Sequence, residues 1–471
     1  MPPTLALIIF AIGITGLFFL DRGWKDRVSI ALWLPTAWLV ITASRPVSQW
    51  LGMSPTADAA SVYLEGSPFD RAVFAVLEAV ALIVVVNRRR RLIPILRRNW
   101  AIGLFFFYAA LSMFWSDFPF ITLKRWIKGI GDVMMVLIVL TEPNVADAVK
   151  RLGTRIAFVL LPLSVLFIKF YPLLGRRLTN SWTMEPVGVA TQKNSLGELC
   201  DLFGLWIVWR LRGIYIDRKA ANRRRRLLAL SAVMAMTVWL LWMCNSTTSI
   251  CALSMASGVM LISTRPAFRR RPARVNLVIV VVLGLAASAL LLPSLGGGAL
   301  LQVLGKDPTL TGRTDTWPIL LSIPNNRWVG TGYETFWIGP RLQRLWELFP
   351  GFPINEAHNG YVEMFLNLGW VGVALLGVMI ATGYRNVIGA YCRDPDIGSF
   401  RIVLFLAPLI HGLTEAAFRG MGPPWIVFLL ATTVAPWMPQ RSVSAVFAST
   451  HNPLESGQKF DAVHDGAPET T

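Results

Sequence analysis

Apolar stretches recur along this chain from residue 4 to residue 438, and that recurrence constrains the fold more than any other feature. A helix that crosses a bilayer needs about 20 predominantly apolar residues. Windowed hydropathy places spans near 4–20, 28–44, 72–86, 100–116, 127–141, 154–172, 195–211, 226–245, 248–264, 275–293, 358–382, 400–418 and 421–438. In lipid, every backbone N–H and C=O must be satisfied within the structure, so these stretches are expected to be helices. The expected fold class is all-α, a polytopic integral membrane protein of about 12–13 transmembrane helices. Composition agrees: 54% of the residues are hydrophobic and 15% are charged, against about 25% charged in soluble domains.

The first span lacks a positive leader and a small-residue cleavage pattern, so it is expected to be a retained helix. Residues 44–71 and 441–471 are polar and rich in Ser, Pro and Ala. The second is expected to be a disordered cytoplasmic tail after a membrane domain over 1–440. No repeat of 20–50 residues and no separate soluble domain is visible.

The formal net charge is +18. The basic runs Arg88–Arg91 with Arg97 and Arg98, Arg223–Arg226, and Arg269–Arg271 each fall in a short connection between apolar stretches. That placement is the positive-inside signal, not a nucleic-acid patch. It assigns 21–27, 87–99, 142–153, 212–225, 265–274 and 383–399 to the cytoplasm, and 45–71, 117–126, 173–194, 294–357 and 419–420 to the outside. With thirteen spans the N-terminus is outside and the C-terminus inside. The four cysteines, Cys200, Cys244, Cys251 and Cys392, have no metal-ligand spacing and are expected to be small buried hydrophobes. No phosphate-binding loop, dinucleotide fingerprint or zinc motif is present.

The outer face should be poor in cations, yet it carries Lys124, Arg125, Lys128, Arg176, Arg177, Lys193, Lys306, Arg313, Arg327, Arg341 and Arg344. Some of these are expected to snorkel toward lipid phosphates. The others imply an anionic ligand, which Arg grips through its two-pronged donor fork and Lys as a point charge. The outer loop 294–357 is far longer than the rest, and long structured loops commonly form lids or binding elements. Within it, Leu342, Leu345, Trp346 and Phe349 have helical spacing after Pro340. Such a helix would lie at the interface with Arg341 and Arg344 toward head groups.

His358 stands at the outer start of the eleventh span, with Asn359 beside it. An imidazole titrates near neutrality and can take a proton from a hydroxyl. Gly369 and Gly372 would let that helix approach a neighbour closely. Intramembrane ionisable residues are costly and usually face a polar cavity. Lys128 and Asp132 are spaced as an internal pair. His411, Glu415 and Arg419 follow i, i+4 spacing, and His411 and Glu415 would line a substrate cavity. Asn194, Glu198 and Asp201 share another face.

These motifs resemble the bacterial O-antigen ligase and polymerase superfamily of glycan-joining membrane enzymes. His358, Asn359, Gly369 and Gly372 fit its H-[NSQ]-x9-G-x-x-[GTY] motif without a gap. Arg313 fits the Arg of an R-x3-L pattern in the large loop, although Trp317 replaces the Leu. Thr191–Gly197 is similar to the Asn-x-Leu-Gly segment that opens a middle helix. Ser44–Trp50 and Trp115–Pro119 resemble the ExoQ-type branch, which polymerises exopolysaccharide repeat units. The resemblance implies a glycosyltransferase of the bacterial inner membrane that acts on its periplasmic face. Its partners would be an undecaprenyl-pyrophosphate-linked oligosaccharide donor, a glycan acceptor, membrane lipids and a chain-length regulator, with no nucleic acid. Arg313 would hold the pyrophosphate as negative charge develops, with Arg176 or Arg177 and Lys193 forming the rest of the cradle and Asn194 also binding substrate. His358, with Asn359, would serve the acceptor hydroxyl. No cofactor or metal is expected. The alternatives are a ligase that transfers the glycan to lipid A-core or another acceptor, and a lipid-linked glycan transporter. A transporter would carry paired inverted repeats, and none is visible.

Overall fold

A computed structural model describes residues 1–22, 28–53, 66–179, 182–218, 222–291, 313–323, 325–349 and 354–435. Met1–Pro436 is one structural unit. The expected tail at 441–471 and residues 292–312 of the long loop lie outside the described residues.

Each expected span contains a helix. In chain order these are α1 (Pro3–Leu20), α2 (Trp33–Thr42), α3 (Pro68–Asn87), α4 (Trp100–Leu111), α5 (Pro119–Leu140), α6 (Val145–Phe170), α7 (Lys193–Ile216), α8 (Arg223–Cys244), α9 (Thr247–Ser263), α10 (Ala273–Leu291), α11 (Gly360–Arg393), α12 (Pro395–His411) and α13 (Pro423–Thr432). By length and composition α1, α6, α8 and α11 can each cross a membrane, and shorter apolar helices accompany them. The protein is an all-α polytopic membrane protein. Among the described residues its β-structure is one small antiparallel hairpin, β1 (Arg176–Leu178) with β2 (Met184–Pro186).

The helix starts follow local chemistry. Proline sits in the first turn of α3, α5, α12 and α13, where its missing N–H costs no intrahelical bond. Side chains of Ser67, Asn144, Ser246 and Asp394 accept from backbone N–H groups of α3, α6, α9 and α12. The connection expected as a loop at 87–99 instead contains a short helix, Arg89–Arg98, whose buried side chain is Ile95.

Burial sorts the helices into a centre and a rim. α7, α12 and α13 are buried on most sides, with Trp206, Phe400, Phe405, Trp425 and Phe428 among the largest enclosed side chains. α1, α3, α8 and α10 expose Leu, Ile and Val, as lipid-facing helices do. Cys200 and Cys244 are buried as expected, whereas Cys251 and Cys392 are exposed. At the ends carrying the basic runs, arginines are locked by carboxylates: Arg88 to Glu142 at 2.9 Å, Arg210 to Asp21 at 2.8 Å and Arg212 to Asp396 at 2.6 Å. These cations therefore tie helices together.

Candidate functional site

The site is built around an interruption of α11. Gly369 lies at φ 64°, so the helix breaks there instead of running through. The gap is filled by loop backbone. Trp370 N donates to Arg327 O at 2.9 Å and Val371 N to Trp328 O at 3.1 Å. On the other side of the break, Thr331 N donates to Leu366 O and Gly332 N to Asn367 O. Gly330 returns the fit: a Cβ there would stand 2.4 Å from the Asn367 carbonyl. The expectation of close helix–helix packing at Gly369 and Gly372 is thus corrected. Gly369 admits a loop, and the nearest obstacle to a side chain on Gly372 is Leu368 from the same helix, just before the break.

The segment 325–339 is pinned at further points. Tyr333 N donates to Ser112 Oγ at 2.9 Å and Phe336 N to Asn367 Oδ1 at 3.1 Å. Glu334, at φ 61°, accepts from Arg419 Nε at 3.2 Å and Gly420 N at 3.0 Å, while its carbonyl accepts from Arg125. Burial opposes the charge of the Arg419 guanidinium, yet Glu334, Glu363 and Glu356 hold its pKa above the ordinary range. The helix expected at Arg341–Phe349 forms over Pro340–Leu348, but Leu342 and Leu345 pack into protein. Arg341 binds Asp117 at 2.7 Å instead of a head group.

His358 occupies the turn before α11, at φ 47°. Its Nδ1 lies 3.2 Å from Glu356 Oε1 and 3.2 Å from Glu415 Oε2. The turn is fixed on both sides. Asn359 caps α11: its Oδ1 accepts from Tyr361 N at 3.0 Å and Val362 N at 3.1 Å, and its Nδ2 donates to Leu413 O at 3.1 Å. Gly360 N donates to Gly412 O at 2.8 Å. Buried Glu363 accepts from Ala357 N at 2.7 Å, from the Trp337 indole at 2.8 Å and from Asn367 Nδ2 at 3.3 Å. One carboxylate thereby joins the His358 turn, the long loop and α11.

Arg313 opens a short helix, Arg313–Ser322; its side chain lies outside the described residues. Trp317, one turn later, donates from its indole to Ala357 O at 2.9 Å. The residue that departs from the R-x3-L pattern therefore fastens the Arg313 helix beside His358.

Glu415 reaches His358 because α12 ends at His411. The helical face implied by the i, i+4 spacing of His411, Glu415 and Arg419 is corrected: Glu415 and Arg419 lie in the connection to α13, which turns them to different partners. His411 is buried and pairs through Nε2 with Asp201 Oδ2 at 2.8 Å. Glu198, one turn before Asp201 on α7, is in electrostatic reach of His411, Glu415 and Glu356. Asn194 is half-buried one further turn toward the start of that helix. Lys193 binds Glu185 of β2 at 2.5 Å. Arg176 and Arg177 are exposed on β1, where Arg176 Nε donates to Ile168 O at 3.3 Å. Among the described contacts none joins Arg176, Arg177 or Lys193 to His358. The Lys128–Asp132 pair is also corrected: Asp132 takes Trp38 Nε1 and Met421 N, both at 2.8 Å, and Lys128 lies over the Phe74 ring.

Sequence reasoning missed Glu356 and Glu363. Both lie within the stretch Asn355–Glu363, whose charge looked like ordinary loop polarity; a buried carboxylate needing donors was the available signal. The described groups around His358 are mainly acidic. Arg419 is the cation coupled to them, through Glu356, Glu363 and Glu334, whereas Arg176, Arg177 and Lys193 stand apart. Ligand atoms of Glu356, His358 and Glu415 lie within 4.8 Å of one another, close enough to hold a divalent ion. His358 would then be a ligand and not a base.

The sequence profile of the O-Antigen ligase family matches residues 231–377, which include Arg313, His358 and the break in α11. Over 334 residues the chain is 27% identical to the exopolysaccharide production protein ExoQ of Rhizobium meliloti (strain 1021), covering 67% of this chain and 71% of that protein. Both matches bear out the likeness read from the sequence: this is a polytopic membrane protein similar to the O-antigen ligase and polymerase superfamily and, within it, to the ExoQ type.

Proposed function

We propose that this protein joins lipid-linked oligosaccharide repeat units into a polysaccharide at the periplasmic face of the inner membrane, as a glycosyltransferase of the polymerase type. The observation that carries the reading is His358 Nδ1 held between Glu356 and Glu415, at 3.2 Å from each. Two carboxylate acceptors favour the tautomer with the proton on Nδ1, which makes Nε2 the basic nitrogen. Nε2 takes the proton of an acceptor sugar hydroxyl as its oxygen attacks the anomeric carbon of the donor. The bond from that carbon to undecaprenyl pyrophosphate breaks, and the leaving group departs as an anion. Arg313, on the helix fastened at Ala357, neutralises it. The acidic surroundings of His358 support this division, because Glu356 and Glu415 at its ring disfavour a pyrophosphate at the same spot.

A ligase is the second reading, favoured by the family profile over 231–377. The likeness to ExoQ over two-thirds of the chain favours the polymerase. Deleting the gene separates them. A polymerase deletion leaves single repeat units on the lipid carrier, whereas a ligase deletion leaves full-length polymer that is not attached. Full-length unattached polymer would overturn the first reading.

A further inference from the structure

A polar cavity of about 290 Å³ opens at the end of the molecule that the charge pattern assigns to the cytoplasm. It lies where α4 begins and where α11 and α13 approach their ends. Arg98, Asn99, Trp100, Thr382, Arg385 and Asn386 are among the residues that line it. Its floor is a closed hydrogen-bond network. Asn99 Nδ2 donates to Val434 O at 3.0 Å, Val434 N donates to Asn99 Oδ1 at 2.9 Å, and Asn386 Nδ2 donates to Thr432 O at 3.0 Å. The walls bring two guanidinium-bearing residues, and among the described residues that line the cavity there is no carboxylate.

Beyond the lining the character changes. Trp100, which lines the cavity, is 56% exposed, and on the basic helix Arg89–Arg98 that precedes it Leu96 is 50% and Ile93 49% exposed. Exposed indole and aliphatic side chains beside arginines suit the boundary between head groups and acyl chains. A soluble anion would gain nothing from that apolar rim, whereas a lipid uses both parts. We infer that this cavity is a binding site for the phosphate of an anionic phospholipid, with Arg98 and Arg385 gripping the head group and the acyl chains lying along Leu96 and Trp100. Basic recesses between membrane helices on the cytoplasmic side are suited to such head groups. The inference does not depend on the proposed reaction, whose residues belong to the turns at the other ends of α11 and α12.

The test is lipid titration of the purified full-length protein in uncharged detergent, read by native mass spectrometry. Phosphatidylglycerol should bind saturably and phosphatidylcholine only weakly. The Arg98→Gln/Arg385→Gln double variant should weaken phosphatidylglycerol about tenfold or more, since a hydrogen bond to a charged group contributes about 1.5 kcal/mol or more and each 1.4 kcal/mol is tenfold. Arg89→Gln/Arg90→Gln removes the same charge from the same basic helix outside the cavity and should leave affinity within about twofold. Thr382→Trp fills the space without changing charge and should also abolish saturable binding. Equal losses in the two double variants would overturn the site in favour of general electrostatic attraction. Full competition by inorganic phosphate at the lipid's own affinity, or equal binding of phosphatidylcholine, would overturn the lipid assignment.

Discussion

Replacing Gly369 by Ala tests the architecture around His358 directly. Gly369 sits at φ 64° and ψ −166°, a region essentially restricted to glycine, where an L-residue costs about 1–3 kcal/mol. The added Cβ would stand 2.3 Å from the carbonyl carbon and oxygen of Trp328. Those are backbone atoms, which cannot rotate aside as a side chain does. Relief requires the loop to back away, and that breaks the bonds from Trp370 N to Arg327 O and from Val371 N to Trp328 O. Each contributes about 0.5–1.5 kcal/mol net, so the total loss should be about 2–6 kcal/mol. Gly377 is the control: it lies in the same helix with nothing within 4 Å of its would-be Cβ. Gly377→Ala should stabilise by about 0.5–1 kcal/mol, as Ala does in helix interiors. Thermal unfolding in detergent, followed by tryptophan fluorescence beside a polymer-formation assay, separates the two. Gly369→Ala should unfold at clearly lower temperature and lose turnover. If it melts with Gly377→Ala and keeps full activity, the break does not organise the site.

Other outcomes follow from the site's geometry. His358→Ala should cut turnover about 10²–10⁴-fold while donor binding persists; loss of donor binding instead would move His358 to the other half of the site. Glu415→Gln keeps the size but weakens the hold on Nδ1, so kcat should fall with little change in the donor KM. Arg313→Ala should abolish polymer and Arg313→Lys restore only part, because the two-pronged grip is lost; normal polymer from a stably inserted Ala variant would refute the pyrophosphate role. Polymer formation by the purified protein should continue in chelator, and its arrest would make Glu356, His358 and Glu415 metal ligands.

The helices were legible because a bilayer demands long apolar runs, and all thirteen readings coincide with helices. Connections were harder. The run Arg88–Arg91 looked like loop, yet Arg89–Arg98 is helical, since Ile95 can be buried while the arginines stay outside. Spacing of four residues suggested one helix through His411, Glu415 and Arg419, but periodicity does not say where a helix stops. Asp201 and His411 are 210 residues apart in sequence and 2.8 Å apart in space. Their need for partners was visible in apolar helices, but the identity of each partner was not. Gly369 was visible as a small residue; what it admits is loop backbone, which no helix pattern encodes.

The end of α12 has a consequence for biosynthesis. The groups around His358 come from α7, from the segment 325–339, from the start of α11 and, last, from residues 411–421, which supply Glu415, Arg419 and the Gly412 carbonyl. A chain emerging from the ribosome in order can thread its loop into the α11 break before α12 exists, but it cannot place Glu415 against His358 until α12 has been inserted. The site therefore completes itself late in synthesis. The family-matching stretch 231–377, made alone, would carry the motif and Glu356 but not Glu415, the second carboxylate on His358 Nδ1.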